Sequence, residues 1–129
     1  SVRTHLHDWL EGPHPKLPRD FDAVLVDAPC TGLGTVRRHP EIRWRRLPSD
    51  PASMALRQLP ILRAAAAHVA ADGLLIYSVC SPEPEEGSGV AEAFAAEAGW
   101  TITDTWSSMP PSDDEDAFQA FELRRSTPV

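Results

Sequence analysis

Two short apolar runs, Phe21–Asp27 (FDAVLVD) and Leu74–Val79 (LLIYSV), constrain this chain more than any other feature. Each has the length of a strand and no regular polar alternation, the pattern of a strand buried on both faces of a parallel sheet. Parallel neighbours need a long crossover, and the segment between the runs supplies a helix for it. Ser49 reads as its capping residue, with Pro51 in the first turn. Met54, Leu59, Leu62, Ala65, Ala66 and Val69 then keep helical spacing despite Pro60, and Gly73 reads as a left-handed cap. Beyond the second run, the pattern predicts a helix over Val90–Ala98 and strands over Trp100–Trp106 and Phe118–Leu123. The acidic loop Pro110–Asp116 separates the last two. Strands that alternate with helices make this an α/β chain.

Composition narrows the class further. At 129 residues, 42% hydrophobic and 24% charged, the chain has the profile of one soluble globular domain. The longest apolar stretch, Ala64–Ala71, is broken by His68 and is too short to span a bilayer. No secretory signal opens the chain, and two cysteines are too few for a disulfide framework, so a reducing cytoplasm is expected. A net charge of −7 argues against nucleic-acid binding by bulk charge. Yet five of the twelve basic residues, Arg37, Arg38, Arg43, Arg45 and Arg46, lie within ten positions, with His39 and Trp44 among them. That cluster suits phosphate contacts with base stacking, or else a solvated charge run. The chain begins with Ser and has no glycine-rich turn after a strand. The expectation is the second half of a doubly wound domain, with an exposed sheet edge able to drive self-association.

The residues that could carry chemistry follow the two apolar runs. Asp27-Ala28-Pro29-Cys30-Thr31-Gly32 comes directly after the first, and Tyr77-Ser78-Val79-Cys80-Ser81 closes the second. Open α/β sheets bind ligands beyond the carboxyl ends of their strands, and parallel strands would point Cys30 and Cys80 into one crevice. The pair reads as two site thiols, as two small buried hydrophobes, or as a disulfide. Ligand-spaced partners for a metal are missing. Asp27 either faces the crevice or caps the next turn. Thr31, Gly32 and Gly34 would let the backbone approach a substrate closely, or else form a plain turn. His68 reads as structural, and Trp100 and Trp106 as packing residues that alternate with Ile102.

The segments VDAPCTGLGTVRRHPEIRW and YSVCS resemble the two hallmark motifs of the Sun/Fmu-type RNA cytosine-C5 methyltransferases, nearest their bacterial 16S rRNA branch. The resemblance continues through the helix between them, Pro84-Glu85-Glu86, and the segment DAFQAFELRR near the end. Val79 stands where the family's second motif often has Thr. The resemblance implies the C-terminal half of a Rossmann-like class I methyltransferase domain over residues 1–129, inactive alone, with S-adenosylmethionine as cofactor and no metal. It implies Cys80 as nucleophile, Cys30 in product release, and Asp27 as the residue orienting base and cofactor. Asp8 joins Asp27 at the cofactor, while Arg37, Arg38, Arg43, Trp44, Arg45 and Arg46 contact RNA. The implied partner is 16S rRNA and no membrane. A tRNA methyltransferase of the same family keeps every role, and a non-catalytic RNA-binding module would dispense with the thiols.

Overall fold

The structure, a computed structural model, describes residues 1–108 and 115–127. Four strands form one mixed sheet in the order β1-β2-β4-β3: β1 (Phe21–Asp27), β2 (Val69–Val79), β3 (Trp100–Ser108) and β4 (Phe118–Arg125). β1 and β2 run parallel with Asp27 level with Ser78, whereas β4 is antiparallel to both β2 and β3. The crossover helix α2 (Asp50–Ala66) and the later helix α3 (Ser88–Ala98) share one core with the sheet. Leu75, Tyr77 and Val79, alternate residues of β2, meet Leu62, Ala65, Val90 and Phe94 there and are fully or almost fully buried. This alternation puts one face of β2 under the helices and leaves Leu74, Ile76 and Ser78 half-buried on the other.

Several expectations change. β1 is not buried on both faces: only Val26 is buried, and Leu25 is 66% exposed. Among the described residues it pairs only with β2, and the two long helices cover one face of the sheet. The crossover helix stops at Ala66 instead of reaching Gly73. Phe21 N donates to His68 O, and Val69 pairs with Phe21, so sheet pairing captures residues whose alanine-rich spacing suits a helix equally well. Gly73 lies inside β2 and is not a left-handed cap. A Cβ there would stand 2.7 Å from Val69 Cγ1 and 2.9 Å from Phe21 O, beside the irregular register between Phe21 and Ala23.

Helix α2 begins where expected, but Ser49 makes no side-chain cap. Asp50 Oδ2 instead accepts from Leu47 N at 2.9 Å, and Pro51 sits in the first turn. Pro60 removes the donor that would serve Leu56 O, a residue at the solvent-exposed surface where water can replace it. α3 ends in Gly99, whose φ of 72° is the left-handed conformation and whose N–H donates to Ala95 O. Trp100 packs as expected, against Phe94 and under the Arg125 guanidinium 4.5 Å from its ring. Trp106 does not pack and is 61% exposed. The register shift between Ile102 and Asp104 reverses the alternation, so Trp106 pairs with Ala120 on the opposite face from Leu123 and Phe121. The expected acidic loop Pro110–Asp116 lies outside the described residues over positions 110–114.

Candidate active site

Strand pairing builds the centre of this site. The β1–β2 ladder runs one residue past Asp27, with Ala28 N donating to Ser78 O at 3.0 Å, so the chain leaves both strands at the same level. Cys30 and Cys80 therefore meet: their Sγ atoms lie 2.9 Å apart, both are free thiols, and both are half-buried. At this separation one thiol can donate to the other. The hydrogen bond from Cys30 lowers the Cys80 pKa to about 7, against burial and the nearby carboxylates of Asp27 and Glu86, which oppose it. The same contact, with burial, raises Cys30 well above the ordinary thiol range. The shared contact favours ionisation of Cys80 over that of Cys30.

The loop that carries Cys30 is held by polar contacts. Gly32 adopts φ 74°, which requires glycine, and Thr35 N donates back to Gly32 O at 2.8 Å. Gly34 approaches backbone closely, though not at a ligand: Gly34 N donates to Cys80 O at 3.0 Å and Ala117 N donates to Gly34 O at 2.8 Å. A Cβ on Gly34 would lie 2.0 Å from Ala117 O and 2.8 Å from Cys80 O.

Sequence reasoning gave no role to two residues beneath this loop. Glu86 is fully buried, and its carboxylate accepts from Thr31 N and Thr31 Oγ1, each at 2.7 Å. Gln58, also fully buried, donates from Nε2 to Pro29 O at 2.9 Å and to Glu86 Oε1 at 3.2 Å. Tyr77 OH donates to Glu86 O at 2.6 Å. The available signal was the segment Pro84-Glu85-Glu86, in which Glu85 is exposed and Glu86 is not.

Asp27 is exposed at the end of β1, 3.4 Å from the Ser78 hydroxyl that donates to it. It lines an open cavity of about 440 Å³ along the outer side of β1. Asp8 lines the same cavity from the other end, together with Leu17, Leu25, Ile61 and Ala65. Asp8 also caps a short 3₁₀ turn, Trp9–Glu11, by accepting from Leu10 N at 2.9 Å. His68 is structural in its contacts: Nδ1 donates to Pro18 O at 2.7 Å and Nε2 accepts from His14 N at 3.1 Å, an assignment the two partners impose.

The arginine cluster divides. Arg38 Nε donates to Asp116 Oδ2 at 2.6 Å and Arg37 stands 3.5 Å from Asp116 Oδ1. Arg46 Nε donates to Thr31 O at 2.8 Å, tying the cluster to the Cys30 loop. Arg43 and Arg45 make no ion pair among the described residues, and both flank Trp44 on the single turn α1 (Ile42–Arg45). Trp44 is 85% exposed, with the Arg43 guanidinium 6.0 Å from its ring. No group of His, Cys, Asp and Glu suited to a metal occurs among the described residues. No helix there is long and apolar enough to cross a membrane.

Comparison with known proteins adds to this geometry. Over 80 residues the chain is 52% identical to the ribosomal RNA small subunit methyltransferase B of Thermus thermophilus, covering 62% of this chain and 20% of that protein. The protein of the same name from Cronobacter sakazakii is 38% identical over 106 residues, covering 76% of this chain and 25% of its own length. The chain thus spans a fifth to a quarter of these relatives. The crystal structure of NSun6 from Pyrococcus horikoshii with SFG superposes at a TM-score of 0.81 and 23% identity. It covers 98% of this chain and 35% of NSun6, and shares the fold. The model of the 16S rRNA methyltransferase RsmB/F family matches residues 3–121, and the chain belongs to that family.

Proposed function

We propose that this chain carries the reactive centre of an enzyme that methylates C5 of a cytosine in RNA, most favourably 16S rRNA. The observation that carries the proposal is the Cys30–Cys80 contact of 2.9 Å at the ends of two parallel strands, beside the cavity lined by Asp8 and Asp27. C5 of cytosine is too weak a nucleophile to take a methyl group unaided. A thiolate that adds at C6 makes C5 electron-rich, and Cys80 is the thiol whose anion this site favours. S-adenosylmethionine, when bound, supplies the electrophilic methyl group. The cavity suits such a cofactor in kind, since apolar walls accept a flat base and two carboxylates accept hydroxyls and a cationic sulfonium.

Asp27, which lines the cavity, holds the cytosine ring by accepting a hydrogen bond from its exocyclic amine. After methyl transfer a base takes the C5 proton, the C–H electron pair re-forms the C5–C6 double bond, and the C6–S bond breaks with its pair returning to Cys80. Cys30, protonated and in contact with Cys80, is placed to assist this elimination. Arg43, Trp44 and Arg45 form the exposed part of the RNA contact, by phosphate pairing and base stacking. Arg37, Arg38 and Arg46 order the loop that presents them.

The test uses the protein in its full-length context, incubated with S-adenosylmethionine and RNA that carries 5-fluorocytosine. Fluorine cannot leave C5 as a proton does, so a thiol adduct should survive denaturation. The expected result is an adduct that disappears in Cys80→Ala, with the trapped position identifying the substrate. Bound RNA without any adduct would overturn the chemistry and favour an RNA-binding module. Trapping on tRNA alone would change the substrate and keep every residue role.

A further inference from the structure

We propose that Glu86 is a positioning residue for the thiol pair: its buried carboxylate, bridged by Gln58, grips the residues on both sides of Cys30 and holds that sulfur against Cys80. The inference rests on the reading of the two thiols as the reactive pair. Glu86 lies six residues after Cys80, and Tyr77 OH fixes its backbone carbonyl at 2.6 Å, so the clamp is anchored to the most deeply buried strand. From there Glu86 takes both the N–H and the hydroxyl of Thr31, the residue after Cys30. Gln58 Nε2 joins Glu86 Oε1 to the carbonyl of Pro29, the residue before Cys30. Every oxygen of the carboxylate is thus engaged by the Cys30 loop or its bridge, and none faces solvent. A buried carboxylate left without such partners would destabilise the fold, so its retention depends on this network.

The electrostatics separate positioning from a direct effect of charge. The negative charge of Glu86 opposes ionisation of Cys80, whereas the hydrogen bond from Cys30 promotes it. Glu86 therefore aids the Cys80 thiolate only through the geometry it imposes on Cys30. Removing the clamp and removing the charge have opposite signs.

The experiment alkylates the protein in its full-length context with iodoacetamide across pH 5–10 and reads each cysteine by mass spectrometry. In Glu86→Gln, Oε1 still accepts from Thr31 N and Gln58 Nε2, while the new amide donates to Thr31 Oγ1. The clamp keeps its shape without its charge, so Cys80 should titrate at or below about 7. Glu86→Ala removes the clamp, and Cys80 should titrate at least one unit higher, a tenfold loss of thiolate at low pH. A Glu86→Ala protein that melts earlier but keeps the wild-type profile, or whose Cys80 titrates lower, would overturn the proposal. Should that variant not fold, Thr31→Val and Thr31→Ser replace it: the valine should raise the Cys80 titration and the serine restore it. Equal profiles in these two would likewise overturn it. No RNA enters this measurement, so failure of the fluorocytosine trap and failure of the clamp are independent results.

Discussion

The two thiols reach one point by different physical means. Cys80 directly follows β2, a strand paired on both sides, whose Leu75, Tyr77 and Val79 are completely buried. Cys30 follows β1, which pairs only with β2 among the described residues and has only Val26 buried, and owes its position to Gly32, Gly34, Thr31, Glu86 and Gln58. One sulfur is fixed by apolar packing and the other by directed hydrogen bonds. Packing tolerates little displacement, whereas a polar clamp on a loop can yield and re-form. A nucleophile benefits from the first kind of support. A group that must act after bond formation, when the substrate has changed shape, benefits from the second.

The contrast breaks most visibly through stability. Leu75→Ala on β2 should destabilise the chain by about 3 kcal/mol in urea unfolding, the loss expected for a buried leucine with its cavity. Leu25→Ala on β1 should stay within about 0.5 kcal/mol in the same chain, because that side chain is largely exposed. Equal losses would remove the distinction between the strands. Gly34→Ala comes next. Its Cβ would press on two backbone carbonyls that have no rotamer to escape into, so roughly 2 kcal/mol of stability should go. The Cys30 loop should then separate from Cys80 O, visible as faster amide exchange at positions 34 and 117 while β2 stays protected. Faster exchange along β2 as well would mean that loop and strand are one cooperative unit.

The sequence carried the parts of this molecule that depend on local pattern. Both strand runs, the start of the crossover helix and the meeting of Cys30 with Cys80 follow from apolar runs and from strand direction. What it could not carry depends on pairing or on missing neighbours. Alanines 64–67 and 70–71 have no preference strong enough to mark the end of α2, and the β1–β2 ladder decides it. The buried-strand reading of β1 assumed cover on both faces, which the two long helices do not give. Trp106 turned outward because one bulged residue reversed the parity of β3, an event without a signature in hydrophobic alternation. Glu86 was invisible for a related reason. Adjacent glutamates in a Pro- and Gly-rich turn look solvated, and only the fold shows that one of them faces Thr31.

The smallest predicted effect sharpens the comparison at the sulfurs themselves. Cys30→Ala removes the donor that lowers Cys80, so the thiolate should titrate near the usual thiol value of about 9 or above it, since burial and two carboxylates now act unopposed. At pH 7 a two-unit rise leaves roughly fiftyfold less thiolate, but the more basic thiolate is intrinsically a better nucleophile. The net fall in alkylation rate should be about five- to tenfold. Above pH 9 the rate should instead match or exceed the wild type, so the sign of the difference reverses with pH. Cys30→Ser keeps an O–H that can donate to Cys80 and should fall between the two profiles. If alanine and serine behave alike, the Cys30 contribution is steric and the hydrogen bond at 2.9 Å does not set the Cys80 charge. If alanine alone shifts the profile, the clamp on the loop exists to deliver a proton donor, which can also hydrogen-bond the Cys80 sulfur as it leaves C6.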